Sequence, residues 1–169
     1  MTYELTAPTR RSFFSLCASA AVGALAASLI GEDSPAFAAG PAPLKLSDVE
    51  WRKRLSPEAY AVLRQAATER PFSSPLNDEH RKGVFVCAGC ALPLYSSATK
   101  FDSGTGWPSF YDHLPHAVGG SLDTSLGQQR EEVHCARCAG HLGHVFNDGP
   151  RPTGLRYCMN GVAMRFVKA

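Results

Sequence analysis

Apolar positions along this chain change their period once. From Leu44 to about Ala67 they recur at helical spacing, and from Gly83 onward they come in short β-branched and aromatic runs. The helical stretch divides in two: Ser47 or Asp48 caps a helix entering through Val49-Glu50-Trp51, and Ser56-Pro57-Glu58 opens another that runs through Leu63. Both are expected to pack on one face of a sheet. Between Glu69 and Asp78, Pro71 and Pro75 with several Ser and Asn read as a loop over the surface. Candidate strands follow at 83–86, 94–95, 107–110, 131–134, 141–146, 156–160 and 162–166. Gly104, Gly106, Gly119-Gly120, Gly149-Pro150 and Gly154 separate most of them. Many short strands punctuated this way, behind two small helices, predict a mainly β, α+β domain whose antiparallel sheet closes partly or forms a small barrel.

The N-terminus has a different character. Thr9-Arg10-Arg11-Ser12-Phe13-Phe14-Ser15 leads into an apolar, Ala-rich run from Leu16 to Ile30, and Ala36-Phe37-Ala38 precedes Ala39. These are the three parts of a secretory signal, and the paired arginines resemble the twin-arginine signal of proteins exported already folded. The apolar run of about 15 residues is short of the roughly 20 that span a bilayer, so cleavage after Ala38 is expected, with an uncleaved anchor as the alternative. Residues 1–38 then form an export signal and 39–169 one domain with a single core, placed in the periplasm or otherwise outside the cytoplasm. Removing the signal takes away two basic and three acidic residues and moves the formal charge from +2 to +3. No run of four basic residues appears, so nothing argues for nucleic acid. Membrane contact is expected only through the signal, and the domain is expected to be a monomer.

Cysteine spacing points to the chemistry. Of six cysteines, Cys87/Cys90 and Cys135/Cys138 form two Cys-X-X-Cys pairs, the composition of a closed structural zinc cage. Each pair follows a strand, so the metal would staple two hairpins. Cys17 falls in the expected signal, which leaves Cys158 without a partner. Around it in sequence stand Trp107, His134, His141, His144, Asp148, Arg156 and Asn160, groups able to hold a thiolate and supply a proton. A plain strand would put His141 and His144 on opposite faces, whereas a turn at Gly143 would bring both to one pocket; both arrangements remain open. The bland alternatives are structural or zinc-binding histidines and a Trp107 that belongs to the core.

These residues also carry a resemblance. Gly104-Thr105-Gly106-Trp107-Pro108-Ser109-Phe110, Cys135-Ala136-Arg137-Cys138, the run from Gly140-His141-Leu142-Gly143-His144 through Asn147-Asp148-Gly149-Pro150, and Arg156-Tyr157-Cys158-Met159-Asn160-Gly161 resemble B-type methionine sulfoxide reductases in order and spacing, from about Ser47 to Phe166. The resemblance implies a zinc-stabilised β-tent fold and repair of oxidised proteins or peptides by reduction of the R epimer of methionine sulfoxide. It implies Cys158 as the catalytic thiol, Trp107 as the wall for the substrate methyl group, and His141, His144 and Asn160 as polar groups around the sulfoxide. Arg156 and Asp148 match supporting positions, and one structural zinc would sit on Cys87, Cys90, Cys135 and Cys138.

One position departs from the commonest pattern. Where many members carry a resolving cysteine between the two glycines before Trp, this chain has Thr105. A one-cysteine enzyme is therefore expected, its sulfenic acid reduced by thioredoxin, a similar protein or a small thiol. Two rivals stand beside this reading: a zinc-knuckle module that binds a protein without catalysis, and a metal-free thiol oxidoreductase using one Cys-X-X-Cys pair. Zinc content and activity after loss of Cys158 separate them.

Overall fold

The computed structural model describes residues 40–125 and 127–169. The expected export signal, with Cys17, lies outside them. Among the described residues no helix is long and apolar enough to cross a membrane. Helix α1 (Asp48–Arg54) starts on a full capping box, in which Ser47 accepts from the Glu50 amide and Glu50 accepts from the Ser47 amide. Helix α2 (Pro57–Gln65) is capped by Ser56, carries Pro in its first turn, and ends on Ala66 in the left-handed region. The helical pattern before Ser47 does not form a helix; Leu44 instead donates its amide to the Arg137 carbonyl at 2.7 Å.

Among the described residues nine strands follow: β1 (Gly83–Cys87), β2 (Pro93–Ser96), β3 (Lys100–Phe101), β4 (Ser109–Phe110), β5 (Val118–Asp123), β6 (Arg130–Cys135), β7 (His141–Phe146), β8 (Arg156–Met159) and β9 (Met164–Lys168). They form a three-stranded sheet in the order β2-β1-β9 and a six-stranded sheet in the order β3-β4-β8-β7-β6-β5. All pairings are antiparallel, so the mainly β class with two small helices is what the chain adopts. The sheets meet through aromatic rings. Tyr95 of β2 stacks on Phe110 of β4 at 4.4 Å, Phe85 of β1 meets Phe110 edge-on at 4.9 Å, and the Tyr95 hydroxyl reaches the Met159 sulfur at 3.1 Å. Phe85, Leu94, Tyr95, Phe110, Leu142 and Met159 are wholly buried, and each such side chain contributes about 1.5–3 kcal/mol by leaving water.

Two expectations about strands need correction. Gly119-Gly120 does not separate strands but lies inside β5, opposite His134 and Val133 of β6. A Cβ on Gly119 would sit 2.6 Å from His134 Nε2, so the missing side chain admits the ring instead of breaking the strand. Trp107 likewise precedes its strand: only Ser109 and Phe110 pair, and Pro108 accepts from the Met159 amide at 3.0 Å.

Candidate active site and metal centre

Strands β1 and β6 each end on a cysteine, and each is followed by the same turn. The Ala91 amide donates to the Cys87 carbonyl at 2.8 Å and the Ala139 amide to the Cys135 carbonyl at 2.9 Å, with both alanines left-handed at φ 58° and 53°. The repeated turn returns Cys90 and Cys138 to their partners. All four sulfurs lie within 4.8 Å of one another and are buried, with Cys90 and Cys135 at 3.5 Å and Cys87 and Cys138 at 3.7 Å. A tetrahedral ion with bonds of about 2.3 Å to sulfur would separate its ligands by about 3.8 Å, so this cluster can hold one metal ion. Proton sharing among the sulfurs, chiefly with Cys135, drives Cys87 up and Cys90 down, and four thiolates together would require a cation between them. Both helices bear on this centre: Leu63 lies against Gly89 and Gly140, Trp51 against Gly89, and Arg64 donates to the Cys138 carbonyl at 2.9 Å.

The second constellation is organised by the six-stranded sheet. Cys158 on β8 stands directly opposite Ser109 of β4 on one side and His144 of β7 on the other; Glu132 of β6 stands opposite His144, and Ser121 of β5 opposite Glu132. Directly opposed residues share a face, so these five form one row across the sheet. A bulge in β7 decides the question about its histidines. Val133 pairs with Gly143 and His134 with His141, which leaves Leu142 as an extra residue. The extra residue returns His141 to the face of His144, and their rings meet edge-on at 5.4 Å. Gly143 is required here, because a Cβ would lie 2.1 Å from the Cys158 carbonyl oxygen. Gly143→Ala is expected to cost about 1–3 kcal/mol in urea unfolding and to lower activity with it; an unchanged midpoint would show that β8 yields at this contact.

Carboxylates that the sequence did not single out hold the histidines. His141 Nδ1 meets Glu132 Oε1 at 2.7 Å, and its buried Nε2 has no partner among the described residues. His144 Nε2 meets Asp123 Oδ2 at 2.7 Å, and Arg130 binds the same oxygen at 2.6 Å. Hydrogen bonds from Ser125 and His144 keep Asp123 well below the usual carboxylate range. Burial opposes the charge on Glu132, but the Ser121 hydroxyl and His141 outweigh it and its carboxyl is also lowered. Burial pulls His144 below the usual imidazole value, against the Asp123 hydrogen bond. Burial also pushes the Cys158 thiol up, against Thr105 and the Arg156 guanidinium. Arg156, itself buried, is clamped by both oxygens of Asp148 at 2.9 and 2.8 Å and lies over the Phe146 ring. Asp148 remains 62% exposed on its side chain.

Trp107 and Asn160 are joined through Glu69, in the segment read as a surface loop. The Glu69 carbonyl accepts from Trp107 Nε1 at 3.1 Å, its amide donates to Asn160 Oδ1 at 2.9 Å, and its carboxylate accepts the Gly161 and Val162 amides. Asn160 also donates to the Leu142 carbonyl at 3.0 Å, on the bulge itself. The two histidines line a cavity of about 410 Å³ with Asp123, Arg130 and Glu132. Trp107 lines a different one of about 230 Å³ with Phe72 and Pro108, and Cys158 lines neither. Asp123 was obscured by reading Gly119-Gly120 as a break, and Glu69 by the prolines around it. The period-2 alternation of β6, which puts Glu132 on the face of His134, is the one local signal for any of these three carboxylates.

Comparison with known proteins gives the family. The SelR domain family matches residues 55–168. The chain is 58% identical over 122 residues to the peptide methionine sulfoxide reductase MsrB of Leifsonia xyli, covering 71% of this chain and 88% of that protein. It is 57% identical over 121 residues to the enzyme of the same name from Methanosarcina barkeri, covering 71% and 85%. With that of Leptospira interrogans it shares 52% over 123 residues, covering 72% and 94%. With the family model matching residues 55–168 and each of these relatives covered over more than four fifths of its length, this chain belongs to the SelR family of B-type peptide methionine sulfoxide reductases.

Proposed function

We propose that this enzyme reduces the R epimer of methionine sulfoxide in proteins and peptides, with Cys158 as nucleophile. The observation that carries the reading is the direct opposition of Cys158 and His144 across β8 and β7. Methionine sulfoxide presents a methyl group and a polar oxygen on one pyramidal sulfur. Trp107 supplies an apolar wall for the methyl, and the preference for one epimer follows from the side on which that wall stands. The Cys158 thiolate attacks the sulfoxide sulfur while His144, with His141 against it, protonates the oxygen. Asp123 fixes the His144 ring through Nε2, so protonation adds a donor at Nδ1. Oxygen is transferred to Cys158, which becomes a sulfenic acid as methionine leaves. Two external thiols then return it to the thiol, releasing water and forming their own disulfide. Asn160 and the Arg156–Asp148 pair keep the end of β8 in place.

The same reading assigns zinc to Cys87, Cys90, Cys135 and Cys138, where it supplies rigidity and no open coordination position. With Thr105 in the place of a resolving thiol, the reductant is thioredoxin-like or a small thiol. We place the enzyme outside the cytoplasm as a monomer, after removal of a twin-arginine-type signal at residues 1–38.

The pKa directions set a pH test. The imidazolium of His144 is lost as pH rises through a value below 6.5, and the thiolate of Cys158 is gained only through a value above 9. The product of the two fractions is constant between these limits and falls outside them. kcat/KM is therefore expected to be flat through the neutral range, and in His144→Asn to rise about tenfold per pH unit there. A wild-type profile already rising like the variant would remove His144 as the acid.

A further inference from the structure

Three hydroxyl groups run from Cys158 into the β4 loop. Thr105 Oγ1 lies 3.8 Å from Cys158 Sγ, Ser103 Oγ lies 2.8 Å from Thr105 Oγ1, and Ser109 Oγ lies 2.7 Å from Ser103 Oγ. The far end reaches the Trp107 carbonyl, to which Ser109 donates at 3.1 Å. A carbonyl only accepts, and each hydroxyl has one hydrogen; with Ser109 donating to Trp107, the bonds of the chain take one order from this end. Ser109 gives its hydrogen to Trp107, Ser103 gives its hydrogen to Ser109, and Thr105 gives its hydrogen to Ser103. At rest, then, the Thr105 oxygen faces the sulfur as an acceptor and the Cys158 S–H donates to it. Ser109 is 0% exposed, so solvent does not reverse the order at the carbonyl end.

We propose that Thr105 is a two-position hydrogen-bond switch on Cys158, with Ser103 and the Cys158 sulfur competing for its single hydrogen. With Ser103 engaged, Cys158 is held as a thiol; when the thiolate forms, the Thr105 hydroxyl turns and donates to it. Thr105 is thereby a further catalytic residue, and Ser103 is a positioning residue that acts through it. The inference rests on Cys158 being the reactive thiol of the proposed reaction. The other groups near the sulfur are Ser109 opposite it on β4, whose hydroxyl can also bond the sulfur, Arg156 on its own strand, paired with Asp148, and His144 opposite it on β7. These are unaltered in the variants below.

The test is alkylation of Cys158 by iodoacetamide in the metal-loaded protein at pH 8, followed by peptide mass mapping; the thiolate forms the S–C bond and iodide leaves. Thr105→Val keeps the side-chain shape and removes the hydroxyl, and is expected to slow alkylation about tenfold, the worth of one charge-assisted hydrogen bond. Thr105→Ser restores the rate. Ser103→Ala removes the competitor and is expected to speed alkylation several-fold, opposite in sign to Thr105→Val. Both variants slowing together, or neither changing while circular dichroism matches the wild type, overturns the switch. Because no sulfoxide is present, this result stands apart from the reductase assay, which alone decides the proposed reaction.

Discussion

Cys158→Ser is expected to lower methionine sulfoxide reduction at least about a thousandfold while the protein stays folded and keeps its metal. The size of the loss follows from the role: serine is nearly isosteric with cysteine, but its alkoxide is inaccessible near neutral pH and it forms no sulfenic acid. The separation of function from fold follows from position. Cys158 lies on β8, across the row from Ser109 and His144, whereas the four clustered sulfurs lie at the ends of β1 and β6 and in the turns that follow. Stability is expected to change by less than about 1 kcal/mol, since no cavity opens at this partly exposed side chain. Assay with a methionine-R-sulfoxide peptide, unfolding by urea and metal analysis read the three quantities separately. Turnover near the wild-type level would remove Cys158 as nucleophile.

Cys87→Ser is expected to do the opposite, losing metal and fold together. A structural zinc site contributes on the order of 10 kcal/mol to folding, comparable to the whole stability of an ordinary domain. The consequence is unusually broad here because the centre joins separate parts of the chain. Its turns end β1 and β6, one strand from each sheet, and Leu63 and Trp51 of the helices rest on them. Removing one thiolate therefore loosens both sheets and the helical layer together. The expected result is a protein with little bound metal and no cooperative thermal transition. A folded, metal-free variant would contradict the closed-cage assignment.

The features legible in the sequence are those whose physics is local. The two helices announced themselves through Ser47 or Asp48, of which Ser47 is the cap, and through Ser56-Pro57, because capping is settled within a single turn. The four-cysteine cluster was equally plain, since each half is a four-residue turn. What was hidden depends on partners far along the chain. Gly119-Gly120 looks like punctuation until the His134 ring from β6 is seen to occupy the space above Gly119. The common face of His141 and His144 comes from a bulge that exists only against β6. Glu69 is separated from Asn160 by more than half the chain, and no spacing rule links a residue beside Pro71 to the end of β8. The directed hydroxyl chain is of the same kind, because its polarity follows from the Trp107 carbonyl.

The most direct test of the central claim is mass spectrometry of the full protein after one equivalent of a dabsyl-methionine-R-sulfoxide substrate with no reductant present. The account predicts one equivalent of methionine product and a single added oxygen on Cys158, trapped as the sulfenic acid. A disulfide joining Cys158 to one of the clustered cysteines, or product formed with Cys158 unmodified, would contradict it.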